Sequence, residues 1–263
     1  MRCVRILFLA DIFAAPGRRA VEQHLPALRE RHGIDAVIAN AENAADGVGV
    51  TSRIATRLYA AGVDAITLGN HAYRQREVYP FLEADERIVR PANHAGSAPG
   101  RGLTVFETAG GTQVAVINLI GQLFLDAAQS PFEMAPRLVT EARGRTPVVI
   151  VDFHAEATSE KVAMGRLLDG EVTAVIGTHT HVQTNDPSVL PGGTAYLTDA
   201  GMTGPHDSVI GVRADLVLRR FQTGLPVRFE PADQDVRIEG AIVECDADTG
   251  RASAIELFRF SAA

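Results

Sequence analysis

Short runs of β-branched and other apolar residues recur along this chain, with helix-like stretches between them. The runs cover residues 4–9, 36–39, 65–68, 114–119, 148–151 and 173–176. Strands that alternate with helices are typical of α/β folds, because a helical crossover is what connects two parallel strands. The sequence therefore predicts an α/β fold with parallel pairing.

The first two connecting segments carry the start and stop signals of helices. Pro16 lies near the start of the first helix and Gly33 follows its end, whereas Pro26 predicts a kink or a break within it. In the second helix, Thr51 is a candidate N-cap and Gly62 a candidate C′ residue. Both helices are expected to cover a sheet.

The pattern changes after Gly192. Residues 209–221, 236–243 and 254–260 are predicted to be strands separated by turns, with no convincing helix. We expect a mixed or antiparallel second sheet there. No Ser/Gly-rich linker or internal repeat divides the chain, so residues 1–263 are predicted to form one domain built on two sheets.

Charge and composition exclude several classes of protein. The formal net charge of −7 argues against an extended nucleic-acid surface, which needs a basic patch, but leaves open a small phosphorylated substrate held locally. A bilayer span needs about 18 apolar residues, and the run at 148–151 ends at Asp152. Asp11 likewise interrupts the apolar start of the chain, which is predicted to be a first strand and not a signal peptide.

The two cysteines, Cys3 and Cys245, form neither a CxxC motif nor a disulfide framework. This usage is typical of a reducing compartment, so a cytoplasmic location is expected.

Polar side chains with metal-binding capacity follow five of the predicted strands. Because ligands of open α/β sheets bind at the carboxyl ends of the strands, these side chains are expected to converge. A set of carboxylate, amide and imidazole groups without a thiolate suits Mn, Fe or Zn. The residues are Asp11, Glu42, Asn43, Asn70, His71, His154, His179 and His181.

Taken singly, several of these residues have simpler interpretations. Asp11 could be a turn or N-cap residue, Glu42 could start a helix, and His154 could merely precede one. His179 and His181 are harder to explain away, because two residues at i and i+2 of an extended segment point to the same side and could chelate metal.

In order and spacing, these residues resemble the calcineurin-like metallophosphoesterases, whose pattern runs D-x-H, G-D-x-x-D, G-N-H-E/D, H and G-H-x-H. Phe13 replaces the first histidine of that pattern, and Glu42 replaces the bridging aspartate. These departures, with segments such as DAITLGNHAY, VDFHAEATSEK and the long motif over residues 177–211, are similar to the YmdB-like branch of the superfamily.

The resemblance implies a four-layer sandwich of two mixed β-sheets flanked by helices, with a dinuclear metal centre. One ion would be held by Asp11, Glu42, Asn43 and His181, and the other by Glu42, Asn70, His154 and His179, so that Glu42 bridges them. Iron or manganese is expected, and zinc is an alternative.

The resemblance also implies a phosphodiesterase linked to RNA metabolism that acts on 2′,3′-cyclic nucleotides. A metal-bridging hydroxide would attack phosphorus, and His71 would donate a proton to the leaving oxygen. Ala72 stands where the family has an acidic residue, so Asp46 or a backbone carbonyl is expected to orient His71.

Two alternatives remain open at this point. The same dinuclear site could serve a phosphomonoesterase, or the chain could be a metal-containing regulatory or RNA-binding protein with incidental hydrolysis. The expected partner is a small nucleotide or phosphodiester substrate. No membrane association is expected, and the sequence leaves open whether the chain forms a homo-oligomer.

Overall fold

The computed structural model describes residues 2–262. Within these residues the chain forms fourteen β-strands, six α-helices and a short 3-10 helix at Arg76–Val78. In chain order the strands and helices are β1 (Cys3–Leu9), β2 (Asp11–Ile12), α1 (Ala14–His32), β3 (Ala36–Asn40), α2 (Ser52–Ala60), β4 (Ala65–Thr67), α3 (Tyr79–Ala84), β5 (Ile88–Val89), β6 (Leu103–Glu107), β7 (Gln113–Ile120), α4 (Pro131–Arg143), β8 (Val149–His154), α5 (Thr158–Leu167), β9 (Ala174–Thr178), β10 (Ser188–Val189), β11 (Ala195–Leu197), β12 (Met202–Pro205), α6 (Ala214–Thr223), β13 (Val236–Asp246) and β14 (Ala252–Ser261).

The strands form two mixed sheets, so the predicted α/β class is confirmed. In the first sheet the order is β2-β12-β13-β1-β3-β4-β5, with β14 on β13. Strands β1, β3, β4 and β5 pair in parallel, whereas β13 pairs antiparallel with β1 and with β14. In the second sheet the order is β10-β11-β9-β8-β7-β6, with a parallel centre and antiparallel edges.

The expectation that the last strands build a second sheet is wrong. β13 is paired with β1 along seven residues, from Cys3 opposite Asp246 to Leu9 opposite Gly240. The last strands therefore complete the first sheet, and the second sheet is built mainly from the middle of the chain. Strand type can be inferred from local pattern, but the partner of a strand is a long-range contact that local pattern does not encode.

Two local predictions about helices are also corrected. α1 continues through Pro26 without a break, because Pro26 lies on the exposed side of the helix and water can satisfy the carbonyl that loses its partner. Residues 214–223, predicted as part of a strand, form α6, which ends at left-handed Gly224. Its apolar side chains are not all buried, since Phe221 is 77% exposed.

The predicted N-cap at Thr51 is confirmed, since its hydroxyl accepts a hydrogen bond from Ile54 N–H at 3.2 Å.

The apolar core consists of clusters on both faces of the sheets. In β1, Leu7 and Leu9 belong to the cluster that packs under α1 and α2, whereas Ile6 and Phe8 belong to the cluster shared by the two sheets. A third cluster joins the outer face of the second sheet to α4 and α5. None of the helices within residues 2–262 has the length and apolar character that a bilayer crossing needs.

Candidate metal centre

The strand ends of both sheets bring together every residue that the sequence singled out. Asp11 lies in β2, and His154 is the last residue of β8. The other polar residues lie within four residues of the ends of β3, β4 and β9, since parallel strands deliver their carboxyl ends to one edge. Asp11, Glu42, Asn43 and His154 are buried. The residues in this cluster are Asp11, Glu42, Asn43, Asn70, His71, His154, His179 and His181.

One part of the cluster is built around His154. Its Nε2 atom lies 3.1 Å from Glu42 Oε1, 3.0 Å from Asn70 Oδ1 and 3.1 Å from His179 Nδ1. Ligand atoms that surround one ion at about 2.0–2.2 Å are themselves about 3 Å apart, so this spacing suits a bound metal. Glu42, His154 and His179 together form a group that could hold a metal ion.

The other part of the cluster contains Asp11, His181 and Asn43. His181 Nε2 lies 3.8 Å from Asp11 Oδ1 and 3.0 Å from Asn43 Nδ2. The oxygen of Asn43 is turned the other way, 2.7 Å from His71 Nδ1. Asn43 thus lies between the two imidazoles, and a half-turn of its amide would exchange the atoms that face them.

Each imidazole of the expected ligand set is held through the ring nitrogen that faces away from the cluster. His154 Nδ1 lies 2.9 Å from the hydroxyl of Thr178, and His181 Nδ1 lies 3.0 Å from the carbonyl of Ile210. His179 Nε2 lies 3.1 Å from a carboxylate oxygen of Glu156. Such partners fix the orientation of the ring, as they do in known metal sites.

Two buried carboxylate oxygens support a cation at this position. Asp11 Oδ1 is inaccessible to solvent and accepts no hydrogen bond from any residue in 2–262. Glu42 Oε1 is equally inaccessible and meets only the imidazole nitrogens of His154 and His71, at 3.1 and 3.3 Å. A buried carboxylate oxygen without a partner is costly, and a metal ion is one of the few groups that remove the cost. The donor set of carboxylate, amide and imidazole fits such an ion.

The electrostatics of the cluster depend on burial and on the contacts between its members. Burial raises the pKa of Asp11, opposed by His181 and His154. Burial would also raise the pKa of Glu42, but His154 and His71 hold it well below its usual range. Burial and the neighbouring His154 lower the pKa of His179 to about 3. Burial also opposes charge on His154, but Glu42 outweighs it and raises the pKa of His154 to about 9.

The loop that carries His179 and His181 is not extended as expected. β9 ends at Thr178, and both histidines have a positive φ, 100° for His179 and 64° for His181. The two side chains reach the cluster because of this left-handed backbone and not because of strand alternation. Such conformations are uncommon for residues other than glycine and occur often at functional sites.

Gly69 allows the turn after β4 to approach the cluster closely. A Cβ atom at this position would lie 2.3 Å from Glu42 Oε2 and 2.3 Å from His154 Nε2. Only glycine leaves room for these two side chains, so the glycine of the Gly69-Asn70-His71 segment is required by packing against the site.

His71 lies beside the cluster and is oriented by its neighbours. Its backbone N–H donates to Glu42 Oε2 at 2.9 Å, and its Nδ1 lies 2.7 Å from Asn43 Oδ1 and 3.3 Å from Glu42 Oε1. The expectation that Asp46 or a carbonyl orients the ring is therefore wrong. The side chain of Asp46 is 86% exposed and lies near Arg18.

Sequence reasoning missed the buried polar groups behind the cluster. The Thr178 hydroxyl donates to Asp152 Oδ1 at 2.7 Å, and Asn40 Nδ2 donates to Asp152 Oδ2 at 3.0 Å. Burial raises the pKa of Asp152 to about 6. A charged residue inside the apolar run VVIVDF was a usable signal, because a buried carboxylate needs partners. The contact between Glu156 and His179 had no comparable signal in the sequence.

A cavity of about 320 Å³ opens beside the cluster. Its lining includes the polar residues Asn43, His71, His179 and His181. It also includes the apolar residues Phe13, Val48, Ile210, Val212, Phe229 and Pro231. The ring of Phe13 meets His181 edge on, with centroids 5.7 Å apart. An apolar lining with a few polar groups is typical of sites for small organic ligands of this size.

Known proteins are similar to this chain over nearly its whole length. The 2′,3′-cyclic-nucleotide 2′-phosphodiesterase of Bacillus subtilis (strain 168) is 46% identical over 96% of each chain. The crystal structure of a hypothetical protein from Thermus thermophilus is 43% identical, with a TM-score of 0.91 over 98% of this chain and 99% of the other. A phosphatase from Mycoplasma pneumoniae is 34% identical, with a TM-score of 0.91 over 99% and 94%.

The family described as YmdB-like protein matches residues 7–258. The match covers both sheets and every residue of the cluster. The resemblance read from the motifs is therefore confirmed, and this chain belongs to the YmdB-like family.

Proposed function

We propose that this protein is a metal-dependent phosphodiesterase that hydrolyses 2′,3′-cyclic nucleotides. The observation that carries the proposal is the convergence of carboxylate, amide and imidazole groups, with each imidazole oriented through its other nitrogen. The name of the Bacillus subtilis relative supports the same substrate class.

The cluster would hold two ions, iron or manganese in preference to zinc, with Glu42 shared between them. Asp11, Asn43 and His181 would complete one site, and Asn70, His154 and His179 the other. Two such ions, when bound, activate water as a nucleophile and neutralise charge on phosphoryl oxygens.

The protein groups alone do not favour an anionic substrate. Asp11 and Glu42 lie in the cluster, Asp46 and Glu230 line the cavity, and the formal net charge of the chain is −7. These carboxylates repel phosphate unless cations offset them. The dependence on metal therefore extends to substrate binding as well as to the chemical step.

His71 would act as the proton donor to the leaving ribose oxygen. Its Nδ1 meets the amide of Asn43, through Oδ1 at 2.7 Å in this structure and through Nδ2 once Oδ1 turns to a metal ion. Either contact leaves Nε2 as the ring nitrogen able to meet a ligand in the cavity. Histidine is the side chain that most often acts as a general acid or base. We expect His71→Ala to retain metal and to lose about 10²- to 10⁴-fold in kcat.

The apolar side of the cavity would receive the nucleobase. Phe229 and Ile210 are 42% and 55% exposed there, and a base that covers them buries apolar surface. The phosphate then lies toward His71, His179 and His181.

The same proposal includes a four-layer sandwich formed as one domain over residues 1–263. It is supported by the apolar clusters, one shared by the two sheets and one on the outer face of each. A cytoplasmic location is also inferred, in keeping with free thiols at Cys3 and Cys245.

The first experiment is metal content per chain, measured by mass spectrometry after loading with Mn²⁺ or Fe²⁺ and desalting. We expect about two ions in the wild type, with fewer in Glu42→Gln and in His179→Ala. Gly96→Ala is the control, since no heavy atom of the described chain lies within 4 Å of its added methyl group. A wild type without retained metal would refute the proposal.

The second experiment compares substrates for the metal-loaded protein. We expect kcat/KM to be higher for 2′,3′-cyclic AMP than for the monoester p-nitrophenyl phosphate. A preference for the monoester would instead assign phosphomonoesterase activity to the same site. Metal binding without hydrolysis of either substrate would favour the regulatory or RNA-binding alternative.

A further inference from the structure

A buried ion pair lies behind the loop that carries His179 and His181. Lys161 Nζ, on α5, lies 2.6 Å from Asp199 Oδ2, and the side chains are 2% and 1% exposed. Taking both charges out of water is costly, and replacing such a pair by apolar residues of similar size often leaves the stability of a protein unchanged or raises it. Stability alone is therefore a weak explanation for this pair.

Asp199 connects the ion pair to the histidine loop. The oxygen that meets Lys161 also accepts a hydrogen bond from Thr180 N–H at 3.1 Å. The other carboxylate oxygen accepts from Gly201 N–H at 2.9 Å, and the hydroxyl of Thr184 accepts from Asp199 N–H at 2.9 Å. Asp199 is thus fixed from several sides, and Thr180 is fixed through it.

Thr180 lies between two residues in an unfavourable backbone conformation. His179 and His181 have φ values of 100° and 64°, which residues with a side chain adopt only when surrounding contacts hold them. The hydrogen bond from Thr180 N–H to Asp199 is such a contact, at the centre of the His179-Thr180-His181 segment. A second one is Asp11 Oδ2, which accepts from His179 N–H at 3.1 Å.

The lysine stem also packs against the start of the same loop. A Cβ atom at Gly177 would lie 3.0 Å from Lys161 Cδ and 1.8 Å from the carbonyl oxygen of Thr198. Glycine therefore allows the end of β9 to lie directly on Lys161 and on the segment that leads to Asp199.

We propose that Lys161 and Asp199 are positioning residues, which hold Thr180 N–H and thereby present His179 Nδ1 and His181 Nε2 to the metal. This inference rests on the proposed function, since it takes both histidines as metal ligands. Neither Lys161 nor Asp199 is among the residues that line the cavity beside the cluster. Their effect on the reaction is through the loop.

The test compares two double variants that both remove the buried charges. Lys161→Met with Asp199→Asn keeps an oxygen that can accept from Thr180 N–H. Lys161→Met with Asp199→Leu removes that acceptor and leaves the shape similar. Mn²⁺ affinity is measured by competition with a chelator, and the Tm of each metal-free protein is measured in EDTA.

We expect the leucine variant to bind metal more weakly than the asparagine variant, and its metal-free Tm to be lower because Thr180 N–H and Gly201 N–H both lose their acceptor. The leucine variant should bind Mn²⁺ about 10- to 100-fold more weakly than wild type, which is the usual effect of losing an outer-shell partner. The asparagine variant should recover at least about tenfold of that loss. Should the leucine variant not fold, Lys161→Met with Asp199→Ala replaces it, because alanine removes the acceptor without adding volume.

The outcomes separate this inference from the proposed function. Equal Mn²⁺ affinity in the two folded double variants, with the wild type binding metal, would overturn the positioning role alone. A wild type that binds no Mn²⁺ would overturn the metal centre itself. Rescue of Mn²⁺ affinity by asparagine, with both variants fully folded at the assay temperature, would support the inference, since a pair that serves only stability would leave the affinities of the folded proteins equal.

Discussion

Replacing Gly69 by alanine would place a methyl group where two proposed metal ligands already lie. The new Cβ atom would be 2.3 Å from both Glu42 Oε2 and His154 Nε2. Carbon and its neighbours are ordinarily about 3.5–4.0 Å apart, so the ligands or the turn must move by at least about 1 Å. Gly69 does not have a left-handed φ, so alanine is compatible with the backbone and the collision is the main effect.

The expected result is a folded protein with a defective metal centre. A displacement of about 1 Å at a reacting centre can cost about 10²-fold in rate. We therefore expect Gly69→Ala to lose about 10²-fold in kcat/KM for 2′,3′-cyclic AMP. Metal content should fall as well, since Glu42 and His154 are both ligands in the proposed centre.

The assay measures turnover, metal content and Tm on the same preparations. Gly96→Ala is the matched control, because its methyl group meets no heavy atom within 4 Å among residues 2–262. It should behave as wild type in every measurement. Wild-type metal content and turnover in Gly69→Ala would contradict this prediction, because the protein would then have absorbed the collision without moving either ligand.

Two further predictions concern protonation. Asp152→Asn should weaken metal affinity about 10- to 100-fold. The new amide can donate to the Thr178 hydroxyl, which would then donate to His154 Nδ1 and move the imidazole proton to Nε2, the nitrogen that faces the metal site. Competition with a chelator measures the affinity, and an unchanged affinity would contradict the prediction. Burial raises the pKa of Cys245 to about 12, so at pH 8 this thiol is protonated and unreactive, whereas Cys3 is exposed. A thiol-reactive disulfide should therefore modify one cysteine per native chain and two after denaturation. Fast modification of both cysteines in the native protein would show that Cys245 in β13 is accessible to solvent.

Local pattern was sufficient for much of the fold. The β-branched runs predicted the parallel strands, and capping residues such as Thr51 predicted helix ends, because both depend on residues close in sequence. The strand prediction failed over residues 214–223, where Ala214, Val217, Leu218 and Phe221 recur at the i, i+3, i+4 and i+7 positions of a helix.

The candidate site was predictable because strand ends in parallel sheets meet at one edge. Asp11, Glu42 and His154 could therefore be expected together, although they are far apart in the chain. Their partners could not be expected, since the hydrogen bonds from Thr178 to Asp152 and from Thr180 to Asp199 join segments from different elements.

The α/β class, the family and the chemical character of the site follow from residue types and their order. Three other features arise only in the folded chain: β13 pairs with β1, Asn43 orients His71, and Asp199 accepts a hydrogen bond from the left-handed loop that carries His179 and His181. Each of these is a contact between distant residues, and its energy depends on burial and geometry that exist only after the chain has folded.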